Sequence, residues 1–105
     1  MINKDYYQQI GQILFNISPD SSKKIIMRAK LSKDSDVGTF EYDYENAQGE
    51  THWITGGGEV NTKLLQILVS LRKSYVERGE ATWTTCTFTV DIEAGTFDMN
   101  LEYDV

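Results

Sequence analysis

Three stretches of this chain alternate apolar with polar residues, and that alternation constrains the fold more than any other feature. In "TFEYDYE", Phe40, Tyr42 and Tyr44 take one side, and Thr39, Glu41, Asp43 and Glu45 take the other. In the closing run, Cys86, Phe88, Val90 and Ile92 share a side on the first arm. Phe97, Met99, Leu101 and Tyr103 do so on the second, with "EAG" as the turn and Gly95 free to take a positive φ. "KKIIMRAKLS" sets Ile25, Met27, Ala29 and Leu31 against Ile26, Arg28 and Lys30. Successive side chains of a strand point to opposite faces, so such a pattern means a sheet with one face covered and one face wet.

Two other segments carry the helical period. In "NKDYYQQIGQILFNI", Tyr6, Ile10, Ile13, Leu14 and Ile17 make one apolar stripe. Asn3 is placed to cap it and Asp5 suits its first turn. Pro19 and the serines around it stop it. In "TKLLQILVSLRKSYVER", Leu64, Leu68, Leu71 and Tyr75 form a second stripe, with Asn61 as the expected cap and Gly79 as the expected terminator. "NAQG" reads as a hairpin connection and "ETHWIT" as a short strand. The expected architecture is α+β, an antiparallel sheet of about five strands in α-β-β-β-α-β-β order with helices packed on it. At 105 residues the chain is expected to be a single domain, 1–105.

Charge is unevenly spread. Residues 34–60 hold seven acids and residues 79–105 hold six, and neither stretch contains Lys or Arg. The formal net charge is −6. Nucleic acid and anionic membranes need clustered Lys and Arg, so neither is an expected partner; a basic protein is. The outward parity of Glu41, Asp43 and Glu45 on one hairpin, and of Asp98, Glu102 and Asp104 on the other, marks them as candidate partner contacts. Trp53 and Trp83 have the parity opposite to the apolar sets around them, which makes each a candidate anchor or the cover of a sheet edge or helix end. A wet acidic face also serves solubility and blocks edge pairing.

Motifs for chemistry are weak. "GGG" precedes a helix, but Glu59 follows directly and no P-loop Lys is present. Cys86 shares parity with Phe88 and Val90, which suits a packed thiol better than a nucleophile. With His52 as the sole histidine, a zinc set falls short, and no Asp-rich calcium loop occurs. No cofactor, no metal and no catalytic residue are expected. "MINKDYYQQI" lacks the basic stretch and apolar run of a secretory leader, and a single cysteine excludes an internal disulfide, so a reduced cytoplasmic setting is expected.

At "WTTCTF" the pattern becomes specific. Trp83, Thr84, Thr85, Cys86 and Phe88 lead to the Gly95 turn, then to Phe97, Met99, Leu101 and Tyr103-Asp104. This resembles the closing hairpin of the YezG-like immunity proteins. The front half is similar in layout, with "YYQQI" in the first helix, a following proline, the "GTFEYDYE" strand and a short strand with an aromatic before the second helix. Relatives often continue past the Tyr-Asp pair, so no contact from such an extension is expected here. The resemblance implies a non-enzymatic cytoplasmic antitoxin that binds and neutralises the C-terminal domain of a secreted polymorphic toxin, often a DNase or RNase. An adaptor for another basic protein is the alternative, and a small hydrolase using Cys86 or His52 is the third reading.

Overall fold

The computed structural model describes residues 3–33 and 37–103, with side chains described from residue 6. The expected roles of Asn3 and Asp5 as cap and first-turn acid, and of Asp104 as a contact, therefore lie outside what is described. In chain order the elements are α1 (Asn3–Ile17), β1 (Lys24–Leu31), β2 (Gly38–Glu45), β3 (Thr51–Ile54), α2 (Gly58–Glu77), β4 (Thr85–Asp91) and β5 (Thr96–Glu102). The α+β fold and the α-β-β-β-α-β-β order expected from the alternation are those observed.

All strand pairs are antiparallel, and the sheet order is β3-β2-β1-β4-β5. β1 takes the centre because its inward side is apolar along its whole length. Ile25, Met27, Ala29 and Leu31 are all buried; the first three have a partner on both sides, while Leu31 pairs with Gly38 and donates its amide to the Thr84 carbonyl. They form one core with Tyr42, Cys86 and Phe88 from the neighbouring strands, Ile10 and Leu14 from α1, and Leu64, Leu68 and Leu71 from α2. Both helices thus cover the same face. Burying each such Leu, Ile or Phe contributes about 1.5–3 kcal/mol before the entropy of ordering it is counted.

The connections follow local chemistry. The Asn46 side-chain oxygen accepts from the amides of Gln48 and Glu50, and Gly49 takes φ 82° to close the β2–β3 turn. At the β4–β5 turn the Gly95 amide donates to the Asp91 carbonyl at 2.8 Å, and the Asp91 carboxylate accepts from the Ala94 amide. α2 ends as expected. Gly79 stands in the left-handed region, its amide donates to the Val76 carbonyl, and the Glu80 amide reaches back to Tyr75.

The start of α2 differs from expectation. The helix begins at Gly58, with Gly57 at its N-terminal boundary in a positive-φ conformation, and the amide of Asn61 already donates to the Gly57 carbonyl at 3.0 Å. Asn61 is not a cap. Its side-chain oxygen instead accepts a 2.6 Å hydrogen bond from the hydroxyl of buried Tyr42. Gly56 is fixed by packing. A Cβ on Gly56 would come within 2.7 Å of the Tyr42 ring, so that ring can lie against the chain only where a side chain is missing.

Candidate partner-binding surface

The uncovered face of the sheet is where the sequence places its outward acids, and register decides how they group. Arg28 of β1 lies opposite Glu41 of β2, one step from Asp43. Its Nη2 donates to Asp43 Oδ2 at 2.7 Å and its Nε to Glu41 Oε1 at 3.4 Å. The bond to Asp43 is the main reason the guanidinium's pKa is raised. Lys24 lies opposite Glu45 on one side and Asp91 on the other. The basic strand therefore sits beside the acids of β2 and answers part of their charge.

Asp98 and Glu102 stand differently. They lie on β5, opposite Thr89 and Thr85, and neither makes an ion pair among the described residues. Between them and the β2 acids run β4 and β1, so the two acid columns are three strand spacings apart, about 14 Å. Their shared parity holds, but they do not form one patch. Glu41 is exposed, Asp43 and Glu45 are partly covered, and Asp98 and Glu102 are exposed.

The tryptophans part company. Trp53 on β3 is 69% exposed, opposite Asp43 on the open face. Trp83 is fully buried and cannot anchor a partner. Its carbonyl accepts from Arg72 Nη1 at 3.1 Å, and the Arg72 guanidinium lies 5.8 Å from its ring centre. The physical reason is that β4 starts at Thr85. Alternation on a strand says nothing about a residue two positions before the strand begins.

The sequence also missed an apolar region beside β5. Parity assigned Phe97 and Tyr103 to the core side; Phe97 does face the helix layer yet remains 49% exposed, and Tyr103, just past the end of β5, is 43% exposed. β5 is an edge strand, and α1 packs mainly over β1 and β4. Phe97 stacks on Phe88 and leans on Tyr7, leaving its outer edge free. Phe15 of α1 is 51% exposed. An open groove of about 600 Å³ runs between Tyr7, Gly11 and Phe15 on the helix and Val90, Ile92 and Phe97 on the hairpin. Phe15 lies one position after Leu14 of the stripe and was the available signal.

The residues weighed for catalysis are kept apart. Cys86 is buried on β4, and His52 lies on β3 against the ring of Tyr44 and within 3.6 Å of Glu50. Three strand spacings, again about 14 Å, separate their strands. Burial pushes the Cys86 thiol up to about 12, so it is protonated and unreactive at neutral pH. Among the described residues no group of three or more His, Cys, Asp or Glu side chains is arranged to hold a metal ion. No described helix is long and apolar enough to cross a membrane.

The same burial makes an alkaline limb of stability. Tyr42 is pushed up to about 12 by desolvation, as is Cys86, from ordinary values of 10.0 and 9.0. From about pH 9 upward the unfolded chain releases these protons while the folded chain keeps them. The folded state then binds more protons, and stability falls as pH rises. Stability from these groups is fully present below about pH 9 and is lost by about pH 12. Urea midpoints measured across this range should fall steadily, and Cys86→Ala should flatten the earliest part of the fall. A midpoint unchanged up to about pH 11 would contradict the buried positions of both groups.

No family model matches this chain, and no curated protein matches it as a relative.

Proposed function

We propose that this protein is an immunity protein, an antitoxin that binds the C-terminal nuclease domain of a cognate secreted or contact-dependent toxin in the cytoplasm and holds it inactive. The observation that carries the reading is the β4–β5 hairpin. It has no Lys or Arg, and it presents Asp98 and Glu102, without ion-pair partners among the described residues, at an outer strand of the sheet. A nuclease grips a polyanion and therefore offers a basic cleft. Unanswered carboxylates steer such a domain inward and compete for that cleft. The resemblance of "WTTCTF" and its following hairpin to YezG-like immunity proteins supports the same role. The separation of Cys86 from His52, and the protonated state of the thiol, agree with action by binding rather than catalysis.

The test is direct. The toxic domain encoded by the neighbouring upstream gene is co-purified with this protein, and its nuclease activity is titrated. A tight complex whose activity vanishes at equal amounts supports the proposal and identifies DNA or RNA as the substrate. A toxin that neither binds nor loses activity removes it and leaves an adaptor for another basic protein in its place.

A further inference from the structure

The sheet has two edges, and they are unequal. β3 has four residues and β5 has seven. An edge strand presents unpaired backbone N–H and C=O groups and is a template for a further strand unless something blunts it. β5 carries no proline, no lysine and no arginine. On its helix side it offers the free edge of Phe97, with the groove to Phe15 and Gly11 beyond. On its open side it offers Asp98 and Glu102, both exposed and without an ion pair among the described residues.

These features describe the strand that would fit. A strand laid along β5 points alternate side chains to opposite faces. Those on the helix side would meet Phe97 and the groove and should be apolar. Those on the open side would run beside Asp98 and Glu102 and should be Lys or Arg. Cross-strand neighbours of opposite charge stabilise pairing and like charges oppose it. A second copy of this chain is therefore a poor occupant, because two β5 edges would bring their acid columns together. From this geometry we infer that β5 takes up an extended segment of a basic partner protein, one that alternates Lys or Arg with apolar residues, as an additional strand of the sheet. The inference rests on the proposed toxin-binding role for the identity of the partner, and on β5 alone for the mode of binding.

The experiment uses the whole protein and a synthetic peptide that alternates lysine with valine and is as long as β5. Amide hydrogen exchange is followed residue by residue, with a glutamate–valine peptide as the control. The lysine peptide should slow exchange at the outward amides of Phe97–Glu102 by about tenfold or more, leave β3 unchanged, and lose its effect in the Asp98→Lys, Glu102→Lys variant. Protection of β3, no protection anywhere, or equal protection by the glutamate peptide would overturn the inference. So would sedimentation showing a β5-mediated dimer. Exchange in the toxin complex separates the two proposals. A bound toxin with β5 still exchanging freely removes strand addition and leaves immunity standing. A peptide that protects β5 in a protein no toxin binds does the reverse.

Discussion

Replacing Trp83 with alanine should destabilise the protein by about 3–5 kcal/mol, the cost of removing a large buried aromatic and leaving a cavity. Total stability of a domain this size is about 5–15 kcal/mol, so much of the chain would be unfolded at physiological temperature. Trp83 is fully buried and joins two layers. Its carbonyl holds Arg72 of α2, while the next residue, Thr84, donates its amide to Glu102 of β5 and accepts at its carbonyl from Leu31 of β1. Phenylalanine should be tolerated far better. It keeps most of the ring volume and a face for the Arg72 guanidinium. It also removes the indole N–H, which is buried without a hydrogen-bond partner among the described residues and costs about 1–3 kcal/mol as it stands. Urea denaturation followed by circular dichroism distinguishes the variants without relying on the fluorescence of Trp53. A loss under about 1 kcal/mol for Trp83→Ala would mean that this side chain is not a core residue.

Trp83 also shows what the sequence could and could not reveal. The period-2 pattern located β1, β2, β4 and β5, because a residue's side of a strand depends only on its own position. It assigned Ile25, Met27, Tyr42, Cys86 and Phe88 to the core, and they are there. The same rule failed at Trp83 because the chain is not yet a strand at that point. It half-failed at Phe97, whose side was right but whose cover was not, since parity does not say how far the helices reach across the sheet. Arg72 was legible in hindsight. It lies four residues after Leu68 and so continues the buried stripe of α2. The early start of that helix was not legible, because Gly57 in a positive-φ conformation and the close approach of Tyr42 to Gly56 are tertiary facts.

Sheet order was the larger loss. From the sequence, β2 and β5 are two acidic strands of equal standing. Placing basic β1 next to β2, with β4 between β1 and β5, gives their carboxylates different neighbours. Glu41 and Asp43 are held by Arg28, whereas Asp98 and Glu102 face threonines. No local pattern contains that information, since it depends on which strands meet after a helical crossover.

The difference gives the second large effect, visible in the kinetics of the toxin complex. Asp98→Asn with Glu102→Gln, and Glu41→Gln with Asp43→Asn, each remove two negative charges. At a distance a partner senses net charge, so both double variants should slow association by a similar few-fold factor at low salt, with the difference fading as salt screens it. Dissociation should separate them. Carboxylates that pair with Lys or Arg of a docked strand leave a cation uncompensated when removed, and such losses cost about 2–5 kcal/mol, appearing mainly as faster dissociation. The β5 variant should therefore leave its partner at least about tenfold faster than the parent protein. The β2 variant should dissociate at the parental rate, because its lost acids had satisfied Arg28 of the same chain. Surface plasmon resonance at two salt concentrations measures both rates. If the β2 variant dissociates faster and the β5 variant does not, the contact lies on the other hairpin beside Trp53, and the acids of β5 act only in steering.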